Sequence, residues 1–226
     1  MITLHGFSYS NYYNIVKHVL LHKDIPFVED AQYGGNDAYL ELSPAGKIPA
    51  LTTENGIHLS ESSVCCDYLE ETFSQKPLYP TDSEARAQVR QIMKISELYL
   101  ELACRRLISF ALTKTQPPAE LCDDVRSVVT RGIGAMNRIC DFAPYVTGAE
   151  LSMADIYLRY VMSVVDMVGH SQLEWDIGAD INGLKEWQAI MASSDTSEKV
   201  DADRKAGEAE FFAMIQARMA KAAASK

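Results

Sequence analysis

Ile48-Pro49 stands at the mouth of a short strand-like run, Ala50-Leu51-Thr52-Thr53. Proline has no N–H for a ladder and is normally held to strand starts, edges and turns. On spacing alone the bond has two readings: trans at an ordinary strand start, or cis, which is rare and kept for geometry. In the cis form Ile48 can present its N–H and C=O to an extended peptide ligand, in the manner of strand addition. A second stretch, Gly6-Phe7-Ser8-Tyr9-Ser10-Asn11-Tyr12-Tyr13-Asn14, is dense in hydroxyls where strand gives way to helix, and Ser10 suits a helix cap. Ser152 with Asp155 three residues on reads as a capping box that serves folding, and Ser152→Ala is expected to cost ~1 kcal/mol. His5, His18, His22, His58 and Trp187 form no metal spacing, so no metal is expected. The five cysteines are odd in number, with Cys65 and Cys66 adjacent, and match neither a disulfide framework nor a zinc pattern. They read as reduced thiols, Cys65 and Cys66 as small buried apolar residues inside a helix.

The elements that must carry these residues change character near residue 80. Before it, strand-like and helical runs alternate: a strand at 2–5, a helix at 11–23, a strand at 27–29, a short helix at 37–42, strands at 50–53 and 58–59 around Asn55-Gly56, and a helix at 62–73. After Lys76-Pro77-Leu78-Tyr79-Pro80-Thr81-Asp82 the strand signals vanish. Val89, Ile92, Met93, Ser96, Leu100, Ala103, Leu107 and Phe110 recur at spacings of three and four, which predicts one long helix over 84–112. Further helices are expected at 120–142, 152–168, 183–193 and 204–221, with breaks at Gln116-Pro117-Pro118 and Ala143-Pro144. The Ala/Lys-rich end, 217–226, is expected to fray. The layout is α/β followed by all-α: a first domain over 1–76, a linker at 77–82 and a helical domain over 83–226.

At 226 residues and 47% hydrophobic composition the chain can bury a substantial core. No run approaches ~18 apolar residues, and the start, Met1-Ile2-Thr3-Leu4-His5-Gly6, has neither a basic leader nor a long apolar segment, so a cytoplasmic protein is expected. A net charge of -10 argues against nucleic acid and anionic membranes as partners, while leaving room for a local basic pocket that takes an organic anion.

Ser43-Pro44-Ala45-Gly46-Lys47-Ile48-Pro49-Ala50-Leu51, followed by Leu59-Ser60-Glu61-Ser62 and Tyr68-Leu69-Glu70-Glu71, resembles the glutathione-site signature of cytosolic glutathione transferases of the serine type. Gly148-Ala149-Glu150-Leu151-Ser152-Met153-Ala154-Asp155 resembles their capping box in the helical domain. The resemblance spans almost the whole chain in order. It implies a thioredoxin-like N-terminal domain, a C-terminal helical bundle forming the electrophile pocket, a homodimer, glutathione as co-substrate and a cis bond at Pro49.

Glutathione has two carboxylates, one ammonium and a thiol. On the resemblance, Ser62 and nearby backbone N–H groups receive the γ-glutamyl carboxylate at the positive end of a helix, Glu61 takes the ammonium and Lys47 lies near the glycyl carboxylate. A plain N-cap at Ser62 and solvated charges at Glu61 and Lys47 are the structural alternatives. The family places its catalytic hydroxyl between first strand and first helix, which makes Ser10 the candidate and Tyr9 its rival, with Ser8 and Tyr12 in the same loop. A hydroxyl donor and a helix N-terminus both favour thiolate over a thiol of pKa ~8.5. Tyr12, Tyr99, Arg105 and Arg106 are candidates for the electrophile pocket, an arginine being suited to a carboxylate or oxyanion; solvated surface arginines are the plainer reading.

Members acting on maleyl substrates typically carry a Ser-Ser-Cys run where this chain has Ser-Tyr-Ser-Asn-Tyr, which disfavours that activity. Members forming mixed disulfides carry a cysteine at the catalytic turn, and none lies between Met1 and Val64. The expected function is a glutathione transferase attacking a small electrophile or a peroxide, in a detoxification role. A non-enzymatic interaction module of the same fold and a glutathione-dependent disulfide reductase are the alternatives.

Overall fold

The structure, a computed structural model, describes residues 1–224. Four strands, β1 (Ile2–Gly6), β2 (Phe27–Ala31), β3 (Ala50–Thr52) and β4 (His58–Ser60), make one sheet in the order β2-β1-β3-β4. The helix α1 (Asn11–His22) crosses from β1 to β2, so that pair runs parallel, as a crossover requires. The β3–β4 pair is a hairpin turned at Gly56, whose φ of 79° is the left-handed conformation glycine adopts without a Cβ penalty. The short helix α2 (Asp37–Leu40) precedes the Ile48–Pro49 bond, which is cis as the resemblance implied. A second cis bond joins Ala143 to Pro144.

Alternation along the strands divides the sheet into two unlike faces. Ile2, Leu4 and Leu51 are fully buried, as are Ile15, Val16, Val19 and Leu20 of α1 and Cys65, Cys66 and Leu69 of α3 (Ser62–Thr72). Each large aliphatic side chain removed from water there contributes about 1.5–3 kcal/mol. On the other face a polar chain crosses the strands. His5 Nδ1 meets Asp30 Oδ2 at 2.8 Å, His5 Nε2 meets Thr52 Oγ1 at 2.6 Å, and Thr52 Oγ1 meets His58 Nδ1 at 2.9 Å.

The chain separates into two compact units, one of Met1–Phe73 together with the described residues from Asp195 onward, the other Ser74–Ser194. Sequence reading grouped the last helix with the helical part, whereas α10 (Asp195–Ala224) packs against α1. It also starts nine residues before the expected 204, because the polar run at 193–197 reads as loop yet buries Ser197, with Val200 one turn on. The helix continues to Ala224 where fraying was expected, and Ser225 and Lys226 lie outside the described residues.

The second unit is helical: α4 (Ser83–Ile95), α5 (Leu102–Arg105), α6 (Ile108–Thr113), α7 (Ala119–Ile139), α8 (Met153–Gln172) and α9 (Leu184–Ala192). α8 is buried along most of its length. The expected linker residues Leu78 and Tyr79 are also buried, Arg90 lies over the Tyr79 ring at 4.9 Å, and Leu78 O accepts Met153 N–H. The single helix predicted over 84–112 is interrupted. Ser96–Glu101 is a π-helical turn, and the chain breaks again at Arg106–Leu107 before α6. Two local features accompany the irregular turn: Ser96 Oγ donates to Met93 O at 2.9 Å, a back-bond that bends helices, and Gly132 of α7 abuts Leu100 and Tyr99 where a Cβ would not fit. Apolar period alone carries no sign of either.

Candidate functional site

Strand register gathers the first unit's candidates. His5 pairs with Ala50, and Ala50 with Ser60. The next residue along each strand at this end of the sheet is therefore Gly6, Pro49 and Glu61. Gly6 opens the loop to Ser10, and a Cβ on it would strike Ile48 Cγ2 and the Tyr13 ring, so the loop and the Ile48–Pro49 bond are in contact. Pro49 is buried and Ile48 half-buried, while Lys47 is exposed beyond the Ser43–Gly46 turn.

The loop after β1 is a tight turn. Ser10 N–H donates to Phe7 O at 3.1 Å, and Asn14 Nδ2 donates to Ser8 O at 2.8 Å. Ser10 is the N-cap of α1, its backbone extended and its Oγ accepting Tyr13 N–H at 3.4 Å. Tyr9 is held differently. Its ring stacks on Phe211 at 4.4 Å, with the Arg204 guanidinium over it at 4.6 Å. Burial raises the Tyr9 hydroxyl above its ordinary pKa, Arg204 opposing and Glu208 adding to the rise. Tyr12 is half-buried on the first turn of α1.

The start of α3 differs from the expected N-cap. Ser62 is the first helical residue and is buried, and the cap position belongs to Glu61 at φ 67° and ψ 118°, whose side chain makes no capping hydrogen bond. The first intrahelical bond runs from Cys65 N–H to Glu61 O, so the preceding amides have no acceptor within the helix. Glu61 is exposed. A non-glycine residue in the left-handed region costs on the order of 1–3 kcal/mol and persists where surroundings over-determine it.

A charged cluster unread in the sequence lies behind the turn. Tyr13 Oη donates to Glu29 at 2.5 Å, and Lys17, 2% exposed, sits between Glu29 (2.7 Å) and Asp203 (2.8 Å). Burial and the Glu29 carboxylate push the Tyr13 hydroxyl far above its ordinary pKa, so it stays a donor. Tyr13 and Lys17 four residues apart on one helix face were the available signal. A cavity of about 170 Å³ is lined by Phe7, Ser8, Tyr9, Tyr33 and Phe211, among others.

The thiols are protected. Cys65 and Cys66 are buried, and burial pushes the Cys65 thiol up to about 12 and that of Cys66 well up. In the second unit, Arg105 is bound at Nε to the fully buried Glu101 at 2.8 Å and 3.0 Å, and Arg106 reaches Asp124 at 3.4 Å. Tyr99 is half-buried on the π-helical turn against Gly132. Among the described residues no group of three His, Cys, Asp or Glu side chains suits a metal ion, and no helix is long and apolar enough to cross a membrane.

Known proteins agree with this architecture. Residues 4–77 match the family model of the glutathione S-transferase N-terminal domain. A glutathione S-transferase of Pseudomonas putida is 38% identical over 217 residues, covering 96% of this chain and 98% of that protein. A probable maleylacetoacetate isomerase of Drosophila melanogaster is 32% identical over 145 residues, 60% of this chain and 62% of that one. Among solved structures, a glutathione S-transferase from Methylobacterium radiotolerans in complex with glutathione sulfonate has a TM-score of 0.74 at 19% identity, covering 88% of this chain and 93% of that chain. The thioredoxin-like sheet and helical second part are thus a shared fold, and identity along nearly the whole length carries the rest: the chain belongs to the glutathione S-transferase family and is an enzyme with glutathione transferase activity.

Proposed function

We propose that the protein binds glutathione at the end of the sheet where Gly6, Pro49 and Glu61 meet, and activates its thiol as thiolate through Ser10 for attack on a small electrophile or peroxide. Ile48 supplies backbone N–H and C=O to the peptide, Ser62 and the first amides of α3 receive the γ-glutamyl carboxylate, Glu61 the ammonium and Lys47 the glycyl carboxylate. The observation that supports this assignment is the strand register, which sets Gly6, where the loop to Ser10 begins, beside Pro49 and Glu61. Ser10 is preferred to Tyr9 because its Oγ stands at a helix N-terminus, where the dipole favours an anion, whereas the Tyr9 ring is engaged by Phe211 and Arg204. With no thiol at the turn and Cys65 and Cys66 inaccessible, the nucleophile is the sulfur of glutathione.

Tyr12 and Tyr99 are assigned to the electrophile, and Arg105 and Arg106 only where an incoming anion displaces Glu101 or Asp124. Homodimerisation, a cytoplasmic location and a detoxification role complete the reading. Glutathione is assigned to the thioredoxin-like first unit, which includes α10, and the electrophile to the helical second unit.

Ser10→Ala tests the mechanism. Thiolate absorbance of bound glutathione followed against pH is expected to show a raised thiol pKa, with conjugation lost at neutral pH and regained as pH rises and thiolate forms unaided. An unchanged titration in Ser10→Ala, with Tyr9→Phe shifting it, moves the role to Tyr9.

A further inference from the structure

Gly207 lies in the interior of α10, a helix of 30 residues, with ordinary helical backbone. Glycine there lowers helix stability by ~1 kcal/mol relative to alanine, and no turn or left-handed conformation calls for it. The reason is what it touches. A Cβ on Gly207 would fall inside van der Waals distance of Ser8 Oγ, with Ser8 Cβ at 3.6 Å. The helix backbone is therefore seated directly on the turn that leads to Ser10.

The residues on the same face of α10 hold the same region. Asp203 pairs with Lys17 at 2.8 Å, Arg204 covers the Tyr9 ring, Glu210 Oε1 accepts Tyr33 Oη–H at 2.6 Å, and Phe211 stacks on Tyr9 and, at 5.6 Å, on Phe7. Positions 203, 204, 207, 210 and 211 form one helical stripe. In the turn closed by Ser10 N–H and Phe7 O, the two central residues are Ser8 and Tyr9. One rests on Gly207 and the other on Phe211 and Arg204. Ser10 follows, oriented by its backbone bond to Phe7 O and by its cap bond to Tyr13 N–H.

We propose that the Asp203–Phe211 face of α10 is a positioning surface for the β1–α1 turn, and that Gly207 is the residue whose missing side chain lets it seat. This rests on the reading that Ser10, or its rival Tyr9, activates the glutathione thiol. A methyl at 207 takes the space of Ser8 Oγ, the one atom it strikes; on this proposal the turn yields with Ser8 rather than by rotation of that side chain alone, which turns the activating hydroxyl from the sulfur and leaves the α3 end of the glutathione site unaffected. Gly207 touches no reacting atom and acts through Ser8.

The test is a mutant cycle on the full-length protein. Gly207→Ala is expected to raise the thiol pKa of bound glutathione by about one unit and to lower kcat at pH 6.5 by ~10-fold, one unit being a tenfold change in thiolate. KM for glutathione stays within about twofold, and the helix is no less stable, since alanine has the higher propensity. Ser8→Ala alone keeps the wild-type titration. Combined with Gly207→Ala it removes the oxygen the new methyl strikes, and kcat and thiol pKa return to within about twofold and a few tenths of a unit of wild type. Wild-type kcat and titration in Gly207→Ala, or a loss that Ser8→Ala does not restore, overturns the proposal. The cycle reads the turn whether Ser10 or Tyr9 acts, Ser8 being only the residue through which Gly207 moves it, so an unchanged titration in Ser10→Ala removes Ser10 from the mechanism without altering what the Gly207–Ser8 pair decides.

Discussion

The helices α3 and α8 both begin with a serine and an acidic residue, and they use them in opposite ways. At α8, Asp155 is fully buried and turned inward. Its Oδ2 accepts Ser152 N–H and Ser152 Oγ–H, and its Oδ1 accepts Val146 N–H and Trp187 Nε1–H, all at 2.8 Å. At α3, Glu61 is exposed at a left-handed backbone position and caps nothing. The first helix start is closed by the protein's own donors and acceptor, the second keeps its carboxylate in solvent and its first amides without a helical acceptor. A closed start belongs to folding, and the other is the one to which the glutathione carboxylate is assigned in the proposed function.

Removing the closed carboxylate is expected to have the largest effect. Asp155→Ala leaves the Trp187, Val146 and Ser152 donors buried without their acceptor and should destabilise the protein by ~3–5 kcal/mol. Urea denaturation reads this, with glutathione affinity of the folded fraction unchanged; a loss below ~1 kcal/mol erases the contrast between the two helices.

At the open start, Glu61→Ala and Ser62→Ala should each weaken glutathione binding by ~1–3 kcal/mol, through a charged group left unpaired, while folding stability moves by less than about 0.5 kcal/mol. Titration calorimetry alongside denaturation measures both. Unchanged affinity in both variants would return α3 to the same class as α8.

A smaller effect is expected at the polar chain on the sheet. The His5 hydrogen bond holds the Asp30 carboxyl below its ordinary pKa, helped by Gln32 and opposed by partial burial. Asp30 therefore contributes stability above the unfolded value of ~3.9 and loses it as pH falls through its lower folded pKa. Its side chain is 42% exposed, so solvent screens most of this. The denaturation midpoint of Asp30→Asn should fall slightly below wild type at pH 7 and converge with it below pH ~4.

The last prediction expects almost no change. Cys65 and Cys66 lie in the helix whose start is open, yet both are buried and their thiols are held protonated. Alkylating the glutathione-free protein and removing the reagent should leave most conjugation activity. Complete inactivation, prevented by prior glutathione and absent in Cys65→Ala/Cys66→Ala, moves the nucleophile onto the protein and makes disulfide reduction the better reading.

Much of this contrast is legible in the residues, though unevenly. Ser152 and Asp155 are separated by three positions, and a capping box is a local object, so its role follows from spacing. At α3 the spacing points to Ser62 as a possible cap, but the structure gives the cap position to Glu61 and buries Ser62 one residue inside the helix. A one-residue shift in helix start is below what propensity resolves. Tyr13, Lys17, Glu29 and Asp203 come from three elements, and the four-residue spacing of Tyr13 and Lys17 names neither of the carboxylates that bury Lys17 between them.

The sequence by itself determined the sheet, the helices on it and the family, because strand alternation, helical period, proline and turn residues act over a few positions, and the signature from Ser43 to Ser62 lies in one stretch. Only the tertiary structure decided which helix packs on the turn between β1 and α1. Most of the apolar residues of α10 are alanines and the helix has little sidedness, so its pattern names no partner. Its place against residues 7–9 rests on one glycine, a ring stack and two carboxylates meeting side chains nearly two hundred positions earlier. At the interrupted 96–107 segment, too, a glycine of another helix, Gly132, lies close against Tyr99 and Leu100. Close approach between backbones is a property of pairs of elements, and no window along one of them contains it.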